Sequence, residues 1–303
     1  MVLSIFIPNR RATCPANFFM QDIKNIAILG GGLLGGSIAL AAANQARVRL
    51  WARRADTVQI AETMGMSAAM DLSYAIADAD LIILCVPVGA MPCLLKKAID
   101  AGLPKECLIT DVGSVKRVPH EAMREIVHAA GMNFIGSHPM AGGEKGGIDQ
   151  ARADLFHHAA CLLTNDEDVI SEQAIMLEHF WNRLGCQTSW MTAWEHDELV
   201  ARVSHFPHLL AAVGAMVALK NPADAAFGGG GLRDTTRVAA GNPEMWAEIL
   251  CENRDAILAP LRDSIKEMRE MLEILESADQ ERARMWLSEA KRRRDFIPSP
   301  ISR

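Results

Sequence analysis

His138 is the side chain in this sequence with the clearest chemical prospects. It lies in Ser137-His138-Pro139-Met140-Ala141-Gly142, directly after an apolar run that reads as a strand, at the carboxyl edge of a sheet where ligands of open α/β folds bind. An imidazole titrates near neutrality, so it can take a proton from a reacting hydroxyl. Ser114, in Asp111-Val112-Gly113-Ser114-Val115-Lys116, occupies another strand-to-helix loop, where its hydroxyl can meet a substrate or simply cap a helix. Arg233 and Arg237 stand one helical turn apart, and a fixed guanidinium can hold a carboxylate in bidentate fashion. His196, His205 and His208 cluster near a proline, Pro207, and Trp246 follows Arg237 by nine residues. Three nearby histidines raise the question of a metal, yet no CxxC or HExxH spacing accompanies them, so none is expected.

A second constellation points to a nucleotide. Gly30-Gly31-Gly32-Leu33-Leu34-Gly35 follows the apolar run Ile26–Leu29 and opens a helix-like stretch. In the G-x-G-x-x-G pattern Gly30 permits a tight turn, Gly32 lets a pyrophosphate approach, and Gly35 allows helix and strand to touch; Leu33 and Leu34 supply amides at the helix N-terminus. Val86 and Pro87 close the strongest strand signal, Leu81–Val86, and are expected to line the same cofactor. NAD sites usually carry an acid at the tip of the second strand. Here the strand runs Leu50-Trp51-Ala52-Arg53-Arg54, so Arg53 and Arg54 read either as partners for a 2′-phosphate or as solvated turn residues. The expectation is NADP in preference to NAD.

The elements that position these residues change character along the chain. Strand-like runs at Ile26–Leu29, Val48–Trp51, Leu81–Val86, Leu108–Asp111 and Phe134–Gly136 alternate with helical stretches, which implies a doubly wound parallel sheet of Rossmann type; Ala160–Thr164 is expected to close it. Beyond about residue 167 helical periodicity dominates, with breaks expected at Pro207 and a short extra strand near Gln187–Met191. The fold class is therefore an α/β Rossmann-type domain over residues 25–166, followed by an all-α substrate and dimerisation domain over 167–303. Residues 1–24 read as an extension, disordered or preceding a true start at Met20.

Composition narrows the class further. Half of the 303 residues are hydrophobic and 22% charged, and the formal charge of −6 offers nothing to nucleic acid. Seven scattered cysteines without a CxxC pair read as core thiols of a reducing, cytoplasmic compartment, and no run of about 18 apolar residues suggests a membrane span.

Taken in order behind the glycine motif, the segments around Ser114, His138, His196, His205–His208, Arg233–Arg237 and Met245-Trp246 closely resemble the prephenate/arogenate dehydrogenase family, from about residue 25 to 260. The resemblance implies hydride transfer to NAD(P), with loss of carbon dioxide from a cyclohexadienol and aromatisation of its ring. It implies His138 as the base, Ser114 as its hydrogen-bonding partner, Arg237 on the ring carboxylate, and His196, His208 and Trp246 about the substrate; His205 is left to packing. Glu144 is expected near the substrate side chain, where its carboxylate suits the ammonium of arogenate. Prephenate is the expected substrate, with arogenate or dual use as the alternative, and a homodimer through the helical half is expected. A β-hydroxyacid-type dehydrogenase with a catalytic lysine, Lys116 or Lys145, and a non-enzymatic NADPH-binding module are the remote alternatives.

Overall fold

From Asn25 onward, apolar runs of four or five residues alternate with longer alanine- and leucine-rich stretches, and the computed structural model, which describes residues 23–143 and 146–297, folds them as strands and helices in turn. The expected extension up to residue 22, and Glu144 and Lys145, lie outside the described residues. The elements are β1 (Asn25–Leu29), α1 (Leu33–Ala42), β2 (Arg47–Trp51), α2 (Ala55–Thr63), β3 (Ala68–Ala69), α3 (Leu72–Ile76), β4 (Leu81–Leu84), α4 (Met91–Asp100), β5 (Leu108–Asp111), α5 (Arg117–Ala130) and β6 (Asn133–Phe134). They form a six-stranded parallel sheet of order β3-β2-β1-β4-β5-β6, the doubly wound order in which the reversal between β1 and β4 opens a crevice for a dinucleotide.

The sheet is held by alternation within its strands. Ile26 and Ile28 join one apolar cluster with Ile38, Leu50 and Ile83, while Ala27 and Leu29 join the opposite one with Ile82, Leu84, Leu95 and Ile109. Successive strand side chains point to opposite faces, so a strand covered by helices on both sides must be apolar throughout. All four residues of β4 are fully buried for this reason. Each such side chain contributes about 1.5–3 kcal/mol of transfer free energy before chain entropy is charged against it.

Ile135 and Gly136 end this sheet, and the chain crosses into a second one. β7 (Gly136–Pro139) pairs antiparallel with β8 (Ala160–Thr164), which pairs parallel with β9 (Gln187–Met191). Ala160–Thr164 thus does not close the parallel sheet, contrary to the sequence expectation. The reason lies at the end of β5, where the Asp111 carboxylate accepts the Ser137 amide at 3.2 Å and leaves the backbone of β7 to pair with β8. His138 stands within β7, paired in register with Leu162, rather than after a strand. The Gln187–Met191 strand is present as expected.

Between β8 and β9 lies α6 (Ser171–Arg183). After β9 come α7 (Ala193–Val200), α8 (Phe206–Ala218), α9 (Gly230–Thr236) and α10 (Pro243–Glu252). α7 begins with a capping box, Thr192 and Glu195 each bonding the other's backbone amide. Its buried residues Ala193, His196, Asp197 and Val200 share one face at helical spacing. No break occurs at Pro207: α7 and α8 join through a π-helical turn, Ala201–His205, in which the Phe206 amide reaches the Ala201 carbonyl. Proline has no amide to offer four residues back, and the widened turn accommodates that loss without ending the helix. The resulting helix, Ala193–Ala218, is long and apolar enough by composition to cross a membrane, which the sequence reading did not anticipate. Its polar residues His196, Asp197 and His205 are consumed by the nucleotide fold, whereas Val213, Met216 and Val217 are exposed.

Compactness divides the chain after Asn253 rather than near residue 166, because α7 to α10 pack on the nucleotide fold through buried polar groups. The second unit consists of α11 (Arg254–Glu276) and α12 (Gln280–Arg294), packed on each other and joined by the Trp286 indole donating to Glu267. It exposes Ile265, Met268, Leu272, Leu275, Met285 and Leu287.

Candidate active site

The nucleotide cradle is built by backbone that tolerates no side chain. Gly30 has φ of +131°, and a Cβ there would lie 2.2 Å from the Cys85 carbonyl oxygen; one on Gly35 would lie 1.9 Å from the Gly30 carbonyl oxygen. Gly32, the N-cap residue of α1, borders open space instead. First and third glycines bring helix and strand into contact, and the second leaves room at the positive end of the helix: the donor set fits a pyrophosphate. Leu33 and Leu34 form the first turn of α1, half-buried against the core, and Val86 and Pro87 follow β4 on the same carboxyl edge. Beyond β2, Ala52 is buried, and both arginines reach solvent. Arg54 is engaged in an ion pair with Asp56, which lies in the first turn of α2. That leaves Arg53 as the guanidinium without a partner recorded on its own turn.

His138 is 7% exposed and its Nδ1 lies 2.8 Å from His196 Nε2. His196 is fully buried, and its Nδ1 lies 2.8 Å from Asp197 Oδ1. Asp197 in turn accepts from the Lys116 amide at 2.8 Å and from the amide and Nε of Arg117 at 3.0 Å each. Burial alone would raise the Asp197 carboxyl, but the His196 hydrogen bond and these donors hold it below its ordinary value. Burial pushes His138 well below its ordinary range, and His196, Lys116 and His205 add to the effect, so the ring is neutral at pH 7. His196 is lowered as well, chiefly by burial.

Lys116 anchors the floor of this arrangement. Its ammonium is fully buried and donates to Asp111 at 2.6 Å, to the Gly113 carbonyl at 2.7 Å and to the Val115 carbonyl at 3.2 Å, so all three protons are used. Ser114 lies half-buried in the same loop; the N-cap of α5 is Lys116, so the serine is not a helix cap. His205 is fully buried, with Nδ1 3.1 Å from the Asn253 amide nitrogen, and burial lowers it to about 4. Asn253 also donates to the Asp197 carbonyl at 2.8 Å and accepts from Arg117 at 2.9 Å, tying α5, α7 and α10 together.

His208 stacks on Trp246, with ring centroids 3.5 Å apart and planes within 12°. Arg237 begins a short 3-10 turn that packs against α8, the helix carrying His208, and it is exposed, as is Arg233 on α9. The sequence grouped His196 with the substrate residues, but both of its ring nitrogens are engaged inside the protein, and it stands behind His138.

Residues 38–189 match the model of the prephenate dehydrogenase nucleotide-binding domain, and residues 192–289 match that of the prephenate dehydrogenase dimerization domain. The chain belongs to the prephenate/arogenate dehydrogenase family. It is 31% identical to a cyclohexadienyl dehydrogenase of Zymomonas mobilis, covering 86% of this chain and 91% of that one. It is 30% identical to a prephenate dehydrogenase of Bacillus subtilis, over 92% and 78%. Among solved structures, the Synechocystis arogenate dehydrogenase superposes with a TM-score of 0.74 at 28% identity, covering 90% of this chain and 100% of the other.

As a member of this family the protein is a dehydrogenase of tyrosine biosynthesis that uses a nicotinamide cofactor and acts on a small molecule. Lys116 has no free proton for a cleft, so the lysine chemistry of a β-hydroxyacid dehydrogenase finds no support in it. Sequence reasoning missed three contributors to the dehydrogenase site: Asp197, Lys116 and Asn253. Only Asp197 carried a signal, an acid on the buried face of an amphipathic helix. Glu252 is a fourth: burial, with Glu248 and Asp197 nearby, raises its carboxyl to about 7.

Proposed function

We propose that the enzyme oxidatively decarboxylates prephenate to 4-hydroxyphenylpyruvate and prefers NADP. The observation that carries this reading is a buried, neutral His138 whose Nδ1 is tied to His196. Its other ring nitrogen is then free to accept the ring hydroxyl proton as that carbon becomes a carbonyl. The nicotinamide, when bound, takes the hydride. Gly30, Gly32 and Gly35 hold the pyrophosphate with the first turn of α1, Val86 and Pro87 line the cofactor, and Arg53 meets the 2′-phosphate. Ser114 orients the hydroxyl, Arg237 holds the ring carboxylate, and His208 with Trp246 walls the ring. Carbon dioxide leaves as the ring aromatises, which supplies most of the driving force. Relatives named prephenate dehydrogenase at 30% and 32% identity support this substrate. The relative named cyclohexadienyl dehydrogenase favours a second reading, use of both prephenate and arogenate.

Initial rates on prephenate and on arogenate, each with NAD and with NADP, test the proposal. The Ala52→Asp, Arg53→Ala double variant is expected to swing preference toward NAD, since it supplies a ribose acceptor and removes the phosphate partner. A wild-type enzyme that already prefers NAD tenfold, about 1.4 kcal/mol, overturns the role given to Arg53. Arg237→Ala should raise the substrate KM at least tenfold with nucleotide affinity unchanged, because a charge-assisted bond contributes about 1.5–3 kcal/mol; equal loss of nucleotide affinity removes Arg237 from the substrate.

The assembly we infer is a homodimer through the helical half, in the cytoplasm. The apolar side chains left exposed on α8 and α11 support it, and so does the match to a dimerization domain. Sedimentation should give a dimer; a fully active monomer at every concentration refutes it.

A further inference from the structure

Asp197 can only accept. Its Oδ1 is met by the Lys116 backbone amide and its Oδ2 by the backbone amide and Nε of Arg117. None of these three donors can reverse its role. A carboxylate fixed in this way requires a proton on His196 Nδ1, 2.8 Å from Oδ1. A neutral imidazole carries one ring proton, so His196 Nε2 must accept. The only ring nitrogen in contact with it is His138 Nδ1, at 2.8 Å, which must therefore donate. His138 Nε2 is left as the lone-pair nitrogen. The opposite arrangement would need a protonated His196, an added charge buried beside the Lys116 ammonium and the Arg117 guanidinium.

We propose that Asp197 is a positioning residue for the dehydrogenase reaction, fixing through His196 the tautomer of His138 that has Nε2 free to take the substrate proton. The proposal rests on the reading of His138 as the base. When the hydroxyl O–H bond breaks and an N–H bond forms at Nε2, the positive charge on His138 is shared across the Nδ1 hydrogen bond with His196 and lies two bonds of the chain from the Asp197 carboxylate. A related arrangement, one histidine oriented by an aspartate, loses about 10⁴ in turnover when the aspartate becomes asparagine, because the tautomer is wrong.

Asp197→Asn makes the argument testable, since the amide has one acceptor and one donor. Turning its oxygen to Arg117 keeps that pair but points its NH₂ at His196 Nδ1, which must then accept. His196 Nε2 carries the proton, His138 Nδ1 accepts it, and His138 Nε2 becomes an N–H with no lone pair to offer. Asp197→Asn should lower kcat by about a hundredfold or more, with both KM values within about threefold of wild type. Turnover within threefold of wild type, while His138→Asn is inactive, overturns the role of Asp197 and leaves the base reading intact. Full turnover in His138→Asn removes both. Should Asp197→Asn not fold, ¹⁵N spectra of the unaltered enzyme, with His138 assigned from His138→Asn, decide the point. We expect protonated Nδ1 and unprotonated Nε2 on both His138 and His196, and a protonated Nε2 on His138 overturns the proposal.

Discussion

Replacing His138 by asparagine should reduce turnover by roughly a hundredfold or more while fold and nucleotide binding persist. Asparagine is the informative choice because its amide can still donate to His196 Nε2, 2.8 Å from the present Nδ1, so the buried partner is not orphaned. What disappears is the second ring nitrogen, and with it the acceptor for the hydroxyl proton. Steady-state rates at saturating substrate, beside nucleotide affinity by fluorescence titration, separate the two effects. Turnover near that of wild type would take His138 out of the base role.

Lowering the pH from 7.5 to 5.5 should cost the fold on the order of 4 kcal/mol. His120, His138, His196, His205 and His208 are all buried, and burial lowers each of them. The unfolded chain therefore binds more protons than the folded one below about 6.5, and stability falls as pH falls through that value. Each fully shifted histidine contributes about 1.4 kcal/mol per pH unit there. Glu252 acts in the opposite sense: its folded value of about 7 exceeds the unfolded one, so its contribution grows as pH drops from 7 toward 4.5 and offsets more than one histidine. Denaturant unfolding at a series of pH values measures the slope, and a flat profile from 7.5 to 5.5 would refute this origin of acid sensitivity.

The parts that were legible in the sequence are those whose cause is local. β4 announces itself by four apolar residues in a row, and the turn after β1 by glycines that admit no Cβ. The capping box of α7 is equally local, since Thr192 and Glu195 satisfy each other's backbone. What escaped was decided by distant partners. The fate of Ala160–Thr164 depends on Asp111 accepting the Ser137 amide, a contact across 26 residues. The helix that runs through Pro207 does so because the turn before it widens, which no propensity signals. His138 was identifiable by its segment, yet the residue behind it was misassigned: whether His196 meets substrate or protein depends on which face of α7 meets the Lys116 loop.

The π-helical turn Ala201–His205 has a consequence for the length of this chain. It packs one more residue into the same advance than an α-helix would, so a single deletion there could be absorbed by closing the ordinary ladder of hydrogen bonds. Everything beyond it would then turn by about 100° relative to α7. His208 would swing off the face of Trp246, and Val213, Met216 and Val217 would no longer share a side with one another's present neighbours. Side chains in this stretch are open to exchange where they face solvent, as Arg202 and Val203 do, but the count of residues between His196 and His208 is not. Spacing, more than composition, is what selection can least relax in this helix.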